Sequence, residues 1–146
     1  MKRLACTILL PLSLNACSQP GPPEVEQVWT RDTIGGSANA AVFMTITSPA
    51  ADRLVAASTP VARKTDLMTM AGGSTAMEMT YVEAIDLPAG QPVSLNPAGL
   101  HVWLAGLNRP LRAGETFPLV LEFEHAGERR VTVSVIAPAA VPPGTR

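Results

Sequence analysis

Beyond residue 24 the chain alternates apolar and polar side chains with a period of two. That is the repeat of a β-strand laid on a core, not the 3.6-residue repeat of an amphipathic helix. The pattern is cleanest at Val131, Val133 and Val135. It predicts nine short strands, over 25–30, 41–46, 54–58, 65–70, 77–85, 92–95, 100–107, 117–123 and 130–136. Between them stand Gly, Pro, Asn and Asp, the residues that set turns. No apolar stripe at helical spacing runs beyond two turns, and no segment repeats. The expectation is an all-β chain folded as an antiparallel β-sandwich.

Composition agrees. Fourteen prolines and eleven glycines punctuate 146 residues, too often for long helices. Hydrophobic residues make up 47% and charged residues 16%, which excludes a chain disordered throughout. The length suits one domain. A net charge of −1 leaves no electrostatic footprint for nucleic acid. The sequence shows no Ser/His/Asp order, no phosphate loop and no paired carboxylates in a cleft, so nothing in it calls for an enzyme.

The first seventeen residues, MKRLACTILLPLSLNAC, read as an address. Lys2 and Arg3 precede an apolar run over 4–14, long enough for a secretory leader and too short to span a bilayer. Leu14-Asn15-Ala16-Cys17 resembles the lipobox of bacterial lipoproteins, in which cleavage before the cysteine is followed by lipid attachment to its sulfur. Residues 1–16 are then a lipoprotein signal peptide and Cys17 the lipidation site. Loss of Lys2 and Arg3 with the leader takes the net charge from −1 to −3. Ser18 after the cysteine fits an outer-membrane anchor facing the periplasm. The Pro/Gly-rich stretch to residue 24 reads as a tether, 25–137 as the sandwich, and 138–146 as a flexible tail.

The methionines carry the chemistry. Met68, Met70, Met77 and Met79 fall within twelve residues, around the loop Ala71-Gly72-Gly73-Ser74-Thr75-Ala76. Met68 and Met70 share one face of their strand, and Met77 and Met79 one face of the next. A symmetric hairpin would set Met70 opposite Met77 and Met68 opposite Met79. Methionine is usually adaptable core filler. A thioether cluster beside a Gly-Gly loop is a poor core and a reasonable soft-metal site. Thioether sulfur is soft, neutral and needs no deprotonation, which suits Cu(I) and not Mg, Ca or Zn. His101 supplies an imidazole on a later strand, with Trp103 on the same face. His125, in Glu124-His125-Ala126-Gly127-Glu128, reads as a solvated turn histidine.

Met68, ten residues, Met79, twenty-one residues, His101, one residue, Trp103 resembles the motif of the periplasmic copper(I) chaperones of the PCuAC type, linked to assembly of the Cu-A centre of cytochrome c oxidase. That motif runs His or Met, Met, His, Met at the same spacing. The flanking runs Asp52-Arg53-Leu54-Val55, Asn96-Pro97-Ala98-Gly99-Leu100 and Gly114-Glu115-Thr116-Phe117 are similar too, and the likeness covers about residues 28–136. The resemblance implies a cupredoxin-like, immunoglobulin-like fold, a monomeric carrier and an exposed Cu(I) site. It implies Met68, Met79 and His101 as ligands and a copper acceptor protein, such as an oxidase subunit or assembly factor, as partner. Trp103 departs from the motif. Met70 or Met77 could replace the missing sulfur, or Trp103 could cap the ion with its π-face, similar to a periplasmic copper-efflux chaperone. The other readings are a copper buffering or tolerance protein with a Trp-capped site, and a structural lipoprotein whose metal site has decayed.

Overall fold

Alternation along the chain becomes inside-outside alternation in space. In the computed structural model, which describes residues 19–33, 35–73 and 76–144, the second strand buries Val42, Met44 and Ile46 in the main core. Ten strands are present among the described residues: β1 (Glu24–Arg31), β2 (Asn39–Thr47), β3 (Asp52–Ser58), β4 (Ala62–Gly73), β5 (Ala76–Tyr81), β6 (Ile85–Leu87), β7 (Pro92–Leu95), β8 (His101–Leu107), β9 (Thr116–Phe123) and β10 (Gly127–Ile136). The main core also takes Leu67 from β4, Val102 and Leu104 from β8, Phe117, Leu119 and Leu121 from β9, and Val133 and Val135 from β10. Fully burying a side chain of this size contributes about 1.5–3 kcal/mol.

The expected strand over 77–85 is two strands. The Val82 N–H still donates to the Leu67 carbonyl at 3.0 Å, the next pair of the β4–β5 register, after which the chain leaves β4 and resumes as β6 beside β3. The sheet runs β5-β4-β8-β2-β1-β10-β9-β3-β6, with β7 also on β2. Its two edges, β5 and β6, are therefore joined by only residues 82–84. That bridge reaches at most about 14 Å, so the sheet must curl over on itself as a sandwich. Every pairing is antiparallel except β1 with β10, which run parallel.

Two irregularities shape the face that looks away from the main core. The first is a bulge in β1 between Glu26 and Trp29, where Gln27 takes a left-handed φ of 53°. Without the extra residue Trp29 would share the inward face of Val25; with it, Trp29 pairs with Phe43 and turns outward. The second is the excursion 96–100. Strands β7 and β8 lie end to end along β2, Leu95 opposite Met44 and Val102 opposite Val42. Between them the loop is extruded and pinched shut by Asn96 N–H to Leu100 O at 2.8 Å and Gly99 N–H to Asn96 O at 3.1 Å. Asn96 Oδ1 also accepts from Ala98 N–H at 3.0 Å, an Asx turn.

After β10 the chain is tied back to β1. One guanidinium nitrogen of Arg31 donates to the carbonyls of Ala137, Pro138 and Ala140, while the group lies 5.3 Å from the Trp29 ring centre.

Candidate metal centre

Residues directly opposite each other on paired strands point the same way, so the registers define a grid on the outward face. One row crosses five strands: Trp29, Phe43, His101, Met68 and Tyr81. Trp29 pairs with Phe43, Met68 with His101, and Met68 again with Tyr81. Phe43 stands level with His101, because Ala41 pairs with Trp103. The next row toward the hairpin tip holds Gly99, Met70 and Met79. Met70 pairs with Met79, and the Met70 N–H donates to Gly99 O at 3.1 Å. In the opposite direction the neighbouring row holds Trp103 and Asp66.

The hairpin register thus differs from the symmetric expectation. Met70 faces Met79, Met68 faces Tyr81, and Met77 pairs with Gly72. A shift of two residues preserves the face, since the strand period is two, but moves each partner one step along the strand. The difference arises because β4 runs on to Gly73, which pairs with Ala76, so the hairpin's centre lies one residue later than the middle of a loop over 71–76. The side chain of Met77 and all of Cys17 lie outside the described residues.

Burial separates the three motif residues. Met68 and His101 are only 5% and 3% exposed, whereas Met79, on the edge strand β5, is 37% exposed. Two of the expected ligands are therefore covered, and the site opens through Met79 rather than lying fully exposed. Trp29, Phe43 and Met68 are buried yet stand apart from the main core cluster. They form a second apolar layer on the far side of the sheet.

His101 is fixed from three directions. Its Nδ1 lies 3.0 Å from Gly99 O. A carbonyl only accepts, so Nδ1 carries the proton and Nε2 keeps its lone pair in the neutral ring. The ring sits between Phe43, with centroids 6.2 Å apart, and Trp103, 6.3 Å away and nearly edge-on at 70°. This is the arrangement that orients a metal-binding imidazole: one nitrogen held by a backbone oxygen, the other left as a donor. Sequence reading missed Gly99 and Phe43. The turn-forming run Asn96-Pro97-Ala98-Gly99 immediately before His101 was the available signal.

On the rim, Lys64 Nζ lies 2.9 Å from Asp66 Oδ1 and 5.4 Å from the Tyr81 ring centre. The hydrogen bond and charge of Asp66 hold the Lys64 ammonium above its ordinary pKa. Among the described residues no three His, Cys, Asp or Glu side chains gather to hold a metal. What the outward face collects instead is soft: thioethers and one imidazole, the donor set that favours Cu(I) over harder ions.

His125 lies far from this grid, in the β9–β10 turn, and its side chain is exposed as expected. Its Nδ1 is 3.2 Å from Asp52 Oδ1, a partner the sequence did not indicate. Burial pushes the Asp52 carboxyl up, but the N–H groups of Arg53, His125 and Ala126 and the His125 ring outweigh it and hold the group below its usual pKa.

Comparisons with known proteins meet the same region. A family profile described as "Putative lipoprotein LpqE-like" matches residues 24–135. A copper-bound PCuAC domain from PmoF2 superposes with a TM-score of 0.67 at 27% identity, covering 82% of this chain and 97% of that one. The apo PCuAC domain from PmoF1 gives 0.69 at 26% identity, covering 82% and 98%. The Cu(I) form of DR1885 from Deinococcus radiodurans gives 0.62 at 32% identity, covering 86% of each chain. No curated protein matches the chain in sequence.

Proposed function

Because this chain belongs to the LpqE-like family and shares its fold with PCuAC copper domains, we propose that it is a Cu(I)-carrying chaperone of the bacterial envelope, with Met68, Met79 and His101 as the ligands. The observation that carries the reading is the pairing of Met68 with His101 on the outward face, with the Nε2 of His101 left free by the Gly99 carbonyl. Two buried donors form the floor of the site, and Met79 at the open edge of the sheet completes it.

The burial gradient suggests how cargo would move. An acceptor's ligand enters at β5, displaces Met79, and takes the ion as Met68 and His101 let go. Copper stays Cu(I) throughout; only its donors change. Thioethers suit this exchange because no proton has to be removed before they bind. The acceptor we favour is a copper enzyme or its assembly factor in the envelope, the Cu-A site of cytochrome c oxidase being one such destination. Lipid on Cys17 would hold the carrier to the membrane in the periplasm, as a monomer on its tether.

Anaerobic titration against a chromogenic Cu(I) chelator tests the reading. Wild-type protein should withhold one equivalent of copper. Met68→Ala/Met79→Ala/His101→Ala should withhold none, and equal competition by the two would end the proposal. Replacing Cys17 by Ser should release the protein from the membrane fraction without changing copper binding.

A retention role has one observation in its favour: the cover over Met68 and His101 slows any exchange that must reach them. Transfer to an apo acceptor, timed against chelator capture, distinguishes carriage from storage.

A further inference from the structure

We propose that Met70 supplies the fourth ligand, in place of the side chain at position 103, and that the Gly99 carbonyl sets both Met70 and His101. This inference rests on the reading of Met68, Met79 and His101 as copper ligands. It decides which of the remaining neighbours joins them.

The grid makes the choice. Rows along a strand are about 6.6–6.8 Å apart and columns about 4.8 Å apart. Met68 and His101 occupy one row, and Met79 the next row toward the hairpin tip. An ion reached by all three lies between those two rows. Met70 stands at that place: directly across from Met79, two residues along β4 from Met68, and diagonal to His101. Diagonal neighbours on one face remain within reach of long side chains.

Trp103 lies on the other side of His101. Its row, shared with Asp66, is two steps from the Met79 row, about 13 Å along the strands. A methionine there could extend its sulfur to the ion, but an indole offers only a π-face, whereas Met70 offers a thioether. Its ring instead meets the His101 ring nearly edge-on at 6.3 Å, which is a packing contact that steadies the imidazole.

The backbone supports the same assignment. Gly99 O accepts from Met70 N–H at 3.1 Å and lies 3.0 Å from His101 Nδ1. One carbonyl thus fixes the main chain beneath a thioether and the tautomer of the imidazole beside it. Both are settled before any ion arrives, which lowers the ordering cost of binding. Met70 is half-buried and Met79 exposed, so the row nearest the tip would be both the entrance and the sulfur-rich half of the site.

Met70→Leu and Trp103→Phe separate the candidates, with Met68→Leu as the reference for the site as a whole. Leucine conserves volume at a cost usually below about 1.5 kcal/mol, and thermal melting checks that each variant is folded. Each protein is loaded anaerobically with Cu(I), titrated against the chelator and measured by X-ray absorption. Met70→Leu should lose one sulfur neighbour and bind at least about tenfold more weakly, no less than the loss of an outer-shell partner costs a metal site. Trp103→Phe should retain the sulfur count and affinity of the wild type. An unchanged sulfur count in Met70→Leu, or loss of affinity in Trp103→Phe alone, would overturn the assignment. Copper held normally by Met68→Leu would instead overturn the underlying site.

Discussion

The two histidines of this chain start from the same local device and end in different chemistry. Each sets Nδ1 close to an oxygen: His101 at 3.0 Å from the Gly99 carbonyl, His125 at 3.2 Å from the Asp52 carboxylate. The carbonyl partner is neutral, and the ring beside it is buried among Phe43, Trp103 and Met68. There a neutral imidazole with a free Nε2 is the form that fits. The carboxylate partner is charged, and its ring is exposed at a turn. There the pairing serves the carboxylate, which also takes N–H bonds from Arg53, His125 and Ala126 and so pins the β9–β10 turn to β3. A histidine's role is decided by what lies on its far nitrogen's side. Met68 pairs with His101, whereas the rest of the His125 ring is largely open to solvent.

The sharpest way to break this contrast is to remove each ring in turn. His101→Ala should weaken Cu(I) binding at least about a hundredfold, about 2.7 kcal/mol, in the chelator competition. If the loss appears in His125→Ala instead, the two sites have been assigned the wrong way round.

Asp52 gives the next largest effect, on stability rather than on metal. Asp52→Asn should cost about 1.5–3 kcal/mol near neutral pH in denaturant unfolding, the value of hydrogen bonds to a charged group. The folded carboxyl titrates below its ordinary value of 3.8, so its contribution is complete above that value and is lost as pH falls through the lower, folded one. The wild-type and variant curves should therefore converge in acid, below about pH 4. A difference that persists undiminished there would show that the carboxylate's charge is not what holds the turn.

Met68→Leu sharpens the contrast from the metal side. It should change unfolding stability by less than about 1.5 kcal/mol while copper retention collapses. A large stability loss without loss of copper would return Met68 to the role of filler. The smallest effect belongs to His125→Ala: within about 0.5 kcal/mol of wild type in denaturant unfolding, as for most surface changes, with copper binding intact.

Much of this was legible in the sequence. Alternation marked the strands, because a half-buried strand has no other way to satisfy both faces. Parity paired Met68 with Met70 and Met77 with Met79 on the faces of their own strands, and the Met68, Met79 and His101 spacing marked the candidate ligands. Register was not legible. A hairpin slip of two residues leaves every side chain on its own face, so the pattern that fixes parity is blind to it. The division of 77–85 was hidden for a related reason, since Val82 and Ile85 are apolar on both sides of the break. Nor could the sequence show that Trp29 faces outward. Its parity matches Val25, and only the bulge at Gln27 reverses it. Gly99 contributes a backbone oxygen, which no side-chain motif can reveal.

The central claim is that soft donors converge on the outward face, and the molecule carries its own control. Met44 is as buried as Met68, at 2% against 5% exposed, but belongs to the main core on the inward side. Carbon-13 methionine-methyl NMR during anaerobic Cu(I) addition reads all of these side chains at once. The methyl signals of Met68, Met70 and Met79 should move in step with one equivalent of copper while Met44 stays in place. Static Met68 and Met79 signals, or a Met44 shift as large as theirs, would contradict the account.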